Sequence, residues 1–328
     1  MKTVIDVHTH MLSNEWVGQL EAHGGPRYSV KEVAGGQRAV HLDGAPFMTL
    51  TEGMFDYDLR VKNMNKAGVD LAVVSLTCPN VFWGGPKIST DTARLMNDDM
   101  AQAQRAHPDR IRWFASLPWQ FPEAAVAELE RAHEAGAVGV MVLGNIAGRA
   151  LTDPSFAPIW QAIDRKGLPV LVHPTVPPGL AEMDMGPYNL VASTGFLFDT
   201  TLAVVRMIFD GFFDRHPNLK LIASHGGGTL PYIVGRLDQC YDNMPACREK
   251  IGQKPSAYLR RIYLDSVVYR QEALELCLAV CGDENVLYGS DYPHNIGDMV
   301  GCLARVDALP AVRRDRVRGG NAERIFGL

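Results

Sequence analysis

Along the 328-residue chain, short apolar runs rich in β-branched residues alternate with longer stretches in which apolar positions recur every three or four residues. That alternation marks βα units with parallel strands, because a parallel strand is covered on both faces and reads as a continuous apolar run rather than an alternating one. Eight such runs are present: TVIDVH (3–8), LAVVSLT (71–77), IRWFASL (111–117), GVMVLGN (139–145), PVLVHP (169–174), LKLIASH (219–225), RIYLDSV (261–267) and NVLYGSD (285–291). Eight strands with helices between them predict an α/β fold of the closed (β/α)8 TIM-barrel type. The helices carry readable boundaries: Ser89-Thr90-Asp91 is expected to open one, and Gly136 and Gly167 to close two others. A doubly wound open sheet is the competing architecture, but no G-x-G-x-x-G turn follows the first strand and no P-loop is present.

The pattern contains no domain boundary, so residues 1–328 are expected to form one barrel domain. Its largest irregular stretch, 12–56, is Gly-rich and follows the first strand directly. An insertion there lies beside the barrel mouth as a lid or small lobe, since loops after barrel strands surround the working face.

Composition narrows the partners. Apolar residues make up 47% of the chain and charged residues 21%, the balance of a protein with a large core. A formal net charge of −5 without a dense Lys/Arg run argues against nucleic acid or an anionic membrane surface and leaves a small molecule as the expected partner. No uninterrupted apolar stretch approaches about 18 residues, and the opening MKTVIDVHTH turns polar too early for a signal peptide, so the cytoplasm is the expected location. The six cysteines form no C-x-x-C pair and read as reduced thiols; Cys277 and Cys281 share an apolar helical face.

In a barrel the chemistry gathers at the C-terminal ends of the strands. His8 and His10 close the first predicted strand, His173 the fifth, His225 the sixth and Asp291 the eighth. Residues i and i+2 of a strand share a face, so H-x-H lets both imidazoles reach one ion. Imidazole and carboxylate together suit Zn2+ or a related divalent metal, and an unsaturated set leaves room for water or substrate. A single strand-end histidine is commonly only a satisfied structural residue; four histidines and an aspartate at matching ends are a constellation. His107 and His216 each precede a proline, His133 lies on a helix, and His23 and His41 fall in the insertion.

The ordered motifs VIDVHTH, LVHPT, ASHGGGTLPYIVGR and YGSDYP resemble the amidohydrolase superfamily, and within it the branch typified by aminocarboxymuconate semialdehyde decarboxylase. The resemblance implies that His8, His10, His173 and Asp291 hold one divalent metal, Zn2+ first and Mn2+ second. It implies that His225 is the catalytic histidine, activating metal-bound water or assisting proton transfer, with Asp291 as proton shuttle. The bridging lysine of two-metal relatives has no counterpart in GVMVLGN, so a single ion is expected. Arg236 matches a family arginine that meets the substrate carboxylate from a neighbouring subunit, which implies a homodimer or higher homo-oligomer. A guanidinium suits that task through two parallel hydrogen bonds; an ordinary helix-surface arginine is the alternative. Where the branch carries a second substrate arginine, Met48 stands here beside Phe47, so the substrate is expected to be less acidic at that end, unless both are lid core residues. His294 is close enough to the mouth to touch substrate or to brace its loop.

The expected activity is nonoxidative decarboxylation of an aromatic or unsaturated, muconate-type carboxylic acid. Two routes fit the same residues: hydroxide addition to a conjugated double bond before CO2 leaves, or protonation of a ring carbon by Asp291 on a chelated substrate. The alternatives are a metal-dependent hydrolase of a lactone, amide or C–C bond, a hydratase, and a noncatalytic metal-binding barrel, in which His225 would have no task.

Overall fold

The computed structural model describes residues 3–33, 35–180 and 182–328. All eight predicted runs contain a strand: β1 (Ile5–His10), β2 (Leu71–Ser75), β3 (Ile111–Ser116), β4 (Gly139–Leu143), β5 (Pro169–His173), β6 (Lys220–Ala223), β7 (Tyr263–Asp265) and β8 (Val286–Leu287). They pair in parallel in chain order. The barrel closes where Thr9 bridges Tyr292 in parallel and the amides of Val7 and His10 donate to the carbonyls of Tyr288 and Tyr292 at 3.0 and 2.8 Å.

Two hydrophobic layers follow from this topology. Val7, Val73, Met141, Leu171, Ile222 and Leu287 belong to a small cluster from alternating strand positions that fills the barrel, while a much larger cluster fills the space between strands and helices. Trp16, Trp113, Trp119 and Trp160 are fully buried in the larger one.

Helix boundaries follow local chemistry. Asp56 caps Tyr57–Ala67 by accepting from the Leu59 amide, and Gly68 ends it in the left-handed region. Gly167, also left-handed, ends Ala157–Lys166 as expected, and Gly136 lies one residue past the cap of Pro122–Glu134. The helix assigned to Ser89-Thr90-Asp91 instead starts a turn earlier, at Pro86, and runs to Ala106. Proline at the first helical position needs no amide partner, and the Ser89 hydroxyl donates to the Val81 and Gly84 carbonyls rather than capping.

The stretch after β1 folds into helix Asn14–His23 and a three-stranded antiparallel sheet, Tyr28–Glu32, Arg38–Leu42 and Ala45–Thr49. Phe47 on its last strand touches both hydrophobic clusters, so this sheet lies over the barrel mouth. The segment Pro187–Phe209 is long and apolar enough to cross a membrane by length and composition alone. Here its helical end buries Asp199, which accepts from the Thr175 amide and Asn145 Nδ2 at 2.9 and 2.8 Å. All six cysteines are free thiols.

Candidate metal centre and active site

Strict alternation along β1 would not bring the histidines in. Ile5 and Val7 already face the barrel interior, so the next inward positions would be Thr9 and Met11. The pairing of β1 with β2 shifts register between Asp6 and Thr9, and this irregularity changes the phase so that His8 and His10 both reach Asp291. Their Nε2 atoms lie 3.4 and 3.2 Å from Asp291 Oδ1. With His173 at the end of β5, one ligand atom from each of the four residues falls within 4.8 Å of the others, and all four residues are buried.

A second set of contacts orients each ring. His8 Nδ1 is 2.6 Å from Asp265 Oδ2, His10 Nδ1 is 3.1 Å from Ser75 Oγ, and His173 Nδ1 is 2.8 Å from the Pro174 carbonyl. Each contact occupies Nδ1 and leaves Nε2 free, the arrangement that metal-binding histidines adopt. Among the described residues, His8 Nε2, His10 Nε2 and Asp291 Oδ1 are buried without a hydrogen-bond partner. Several orphaned acceptors converging in one place is a costly arrangement for an apolar interior and a fitting one for a cation.

Charge in the site follows from burial and neighbours. Burial holds His10 down to about 3 and His173 well below the ordinary histidine range, so both rings are neutral. Burial also pulls on His8, but Asp265 and Asp291 outweigh it and lift the ring to about 10 in the absence of an ion. Asp291 is pushed up by burial, yet the imidazoles of His10, His225 and His8 hold it well below the usual carboxylate range.

His225 lies two residues beyond the end of β6, in a left-handed conformation at φ 54°. Its Nε2 is 3.6 Å from Asp291 Oδ2, so Asp291 turns one oxygen to the ligand set and the other to His225. The glycines after it are required: a Cβ on Gly228 would come within 2.4 Å of the Leu197 carbonyl, and one on Gly226 within 2.5 Å of Val268.

The remaining predicted residues divide. Nε2 of the half-buried His294 is 3.1 Å from Thr77 Oγ1, and its ring centroid is 5.0 Å from that of His10. Phe47 meets Phe196 edge to face at 6.2 Å, while Met48, paired with Val40, is buried in the larger cluster only. Arg236 is exposed on helix Leu230–Asn243 and makes no hydrogen bond or ion pair among the described residues. A groove of about 620 Å3 opens past the C-terminal ends of β4 and β5, with Arg27, Tyr28, Phe82, Trp83, Asn145 and Thr175 in its walls. Asp265, whose carboxylate accepts from His8 and from the His225, Gly226 and Val267 amides, was not anticipated. Its one sequence signal is a carboxylate at the end of a barrel strand, in RIYLDSV.

The chain matches the amidohydrolase family over residues 5–328 and belongs to it, in the branch typified by aminocarboxymuconate semialdehyde decarboxylase. The 2-amino-3-carboxymuconate-6-semialdehyde decarboxylase of Dictyostelium discoideum is 32% identical over 331 residues, covering 99% of this chain and 91% of the relative. Among solved structures, 5-carboxyvanillate decarboxylase from Sphingomonas paucimobilis superposes with a TM-score of 0.88 at 28% identity, over the full length of both chains. A dihydroxybenzoic acid decarboxylase from Polaromonas, solved with manganese and 2-nitroresorcinol, shares the fold at a TM-score of 0.82 and 22% identity, covering 100% of this chain and 98% of that one.

Proposed function

We propose that the chain is a metal-dependent nonoxidative decarboxylase, a carbon–carbon lyase acting on an aromatic or unsaturated carboxylic acid. The observation that carries this reading is the convergence of unpartnered Nε2 and carboxylate atoms beside His225, in a chain whose relatives named above are decarboxylases. Hydrolysis, the alternative from sequence, is not favoured by those relatives.

His8, His10, His173 and Asp291 would hold one divalent ion. Three nitrogens and one oxygen suit Zn2+, and Mn2+, the ion in the Polaromonas structure, also fits. When bound, the metal supplies a Lewis acid for substrate oxygens. The other tasks fall to this chain's residues. Decarboxylation breaks the bond to the carboxyl carbon, releases CO2 and leaves the substrate carbon needing a proton. Asp291 Oδ2 and His225 Nε2 form the pair able to hold and hand over that proton. Of the insertion residues, Phe47 is the one positioned for a flat substrate, and His294 presents a ring beside His10.

Among the described residues no arginine or lysine of this chain reaches a ligand atom of the set: of the ligand residues Arg60 meets only the His10 carbonyl, and Arg27, in the groove wall, pairs with Asp43 at 3.4 Å, which leaves a substrate carboxylate without a free ionic partner here. Arg236 in a second copy would provide one. A homodimer is further supported by the exposed Phe198, Leu202 and Tyr232 on two neighbouring helices, which are joined by the Thr201–Thr229 hydroxyl contact at 3.0 Å. We place the enzyme in the cytoplasm.

The test is metal analysis of the purified protein, then CO2 release from a panel of hydroxybenzoic and muconate-type acids. About one ion per chain with CO2 evolved is expected. One ion with a product heavier by one water and no CO2 would establish hydration instead.

A further inference from the structure

Arg60 is a fully buried cation to which the reading above gives no task. It projects from helix Tyr57–Ala67, and no carboxylate lies within ion-pair distance of it among the described residues. Its Nη1 donates to Thr9 Oγ1 at 2.6 Å, its Nη2 to the His10 carbonyl, and its Nε to Met11 Sδ at 2.9 Å. Its guanidinium carbon lies 4.8 Å from the centroid of the Tyr292 ring. The link continues on both sides. The Thr9 hydroxyl donates to the Tyr292 carbonyl at 3.0 Å, and Asn63, one turn along the same helix, donates to the Tyr292 hydroxyl at 2.8 Å.

Thr9 stands between His8 and His10, and Tyr292 follows Asp291. One fork on one helix therefore ties together the two segments that carry three of the four proposed ligands. Asp6 acts on Arg60 only from beyond ion-pair distance; burying a guanidinium without a contacting counter-charge is expensive, and a cation beside a divalent ion repels it. Charge alone argues against Arg60 being there; its planar set of donors argues for it.

We propose that Arg60 is a positioning residue of the metal centre, whose fork fixes the spacing between the His8/His10 pair and Asp291 and thereby sets the affinity for a divalent ion. The inference rests on the metal-centre reading above. Its sign is testable, because removing a merely repulsive charge would tighten binding and removing a positioning fork would loosen it.

The experiment strips the full-length protein of metal and measures the Kd for Zn2+ and Mn2+ by chelator competition, together with the visible absorption of the Co2+-loaded form. It compares wild type with Arg60→Met, Arg60→Lys and Asn63→Ala, and circular dichroism checks folding. In Arg60→Met we expect a Kd raised by about 10-fold or more, the range for lost outer contacts, and an altered Co2+ spectrum. Arg60→Lys keeps the charge but not the fork and should behave like Arg60→Met. Asn63→Ala should change the Kd in the same direction by less, and it decides the matter if the Arg60 variants do not fold. A folded Arg60 variant, or in their absence Asn63→Ala, that binds as tightly as wild type or tighter, with an unchanged Co2+ spectrum, overturns the inference. A wild-type protein that takes up no ion overturns the metal-centre reading and the inference with it, and does so before any variant is made.

Discussion

Replacing Asp265 by asparagine should weaken the hold on the ion by about 10- to 100-fold, or about 1.4–2.7 kcal/mol, although Asp265 is not itself a proposed ligand. Four donors converge on its two oxygens. Oδ2 accepts from His8 Nδ1 at 2.6 Å and the His225 amide at 2.9 Å, and Oδ1 accepts from the Gly226 and Val267 amides at 2.9 and 3.0 Å. An asparagine of the same shape has one oxygen and one NH2, so whichever way it turns, two donors face a donor. If the oxygen stays with His8, the GGG turn behind His225 loses its anchor; if it turns away, His8 loses the acceptor that keeps Nε2 free. Two buried donors without acceptors cost about 2–6 kcal/mol of folding free energy at about 1–3 each. Chelator competition gives the Kd, and urea unfolding of the metal-free protein gives the stability. A Kd within two-fold of wild type alongside a large loss of stability would refute the reasoning and make Asp265 a brace for the fold alone.

The other predictions are of different kinds. His225→Asn should leave metal content unchanged and lower the rate of CO2 release by about 100-fold or more, as expected for a proton-transfer group; loss of the ion on purification would instead make His225 a ligand. Mixing Arg236→Met and His225→Asn subunits after dissociation should recover about a quarter of wild-type activity if the arginine acts across the interface, because each mixed dimer then holds one intact site; an inactive mixture would place Arg236 in its own subunit's site, and an Arg236→Met protein active by itself would place it outside both. Burial lifts Asp199 to about 6, above its unfolded value. The native state therefore binds more protons between about pH 4 and 6, and the stability of wild type relative to Asp199→Asn should fall as pH rises through that window, by about 3 kcal/mol in all. Metal-free protein and urea unfolding at several pH values measure this, and a difference independent of pH would count against the shift.

The parts of this molecule legible in its sequence are those that depend on short-range pattern. Parallel strands covered on both faces must be continuous apolar runs, so all eight could be read from the order of apolar residues, and the residue types at their ends could be ranked by the chemistry they carry. The strand ends that carry His8, His10, His173 and Asp291 share one face because the barrel brings every strand end there, and that much follows from topology. What was not legible depends on geometry between distant segments. The eighth strand keeps only Val286 and Leu287 of its predicted run, and the chain then reaches Asp291, at φ 57°, through irregular backbone. The register shift in β1 leaves no mark in VIDVHTH, yet without it the alternation begun by Ile5 and Val7 would send His8 and His10 outward.

Arg60 shows the same limit from the other side. An arginine in the middle of YDLRVKNMNKA reads as the solvated face of a helix, and its burial can be understood only once Thr9, His10 and Tyr292 stand around it. Asp265 was nearer to being found. The reasoning that singled out histidines at strand ends as ligands applies equally to a carboxylate at the end of another strand, since a ligand histidine needs an acceptor for its other nitrogen, and Asp265 meets His8 from two strands away around the barrel. In a barrel of this kind, then, the residues that hold an ion can be sought at the ends of strands. The residues that orient them are to be sought one or two strands over, as with Ser75 and Asp265, or on a helix packed against the ligand segments, as with Arg60.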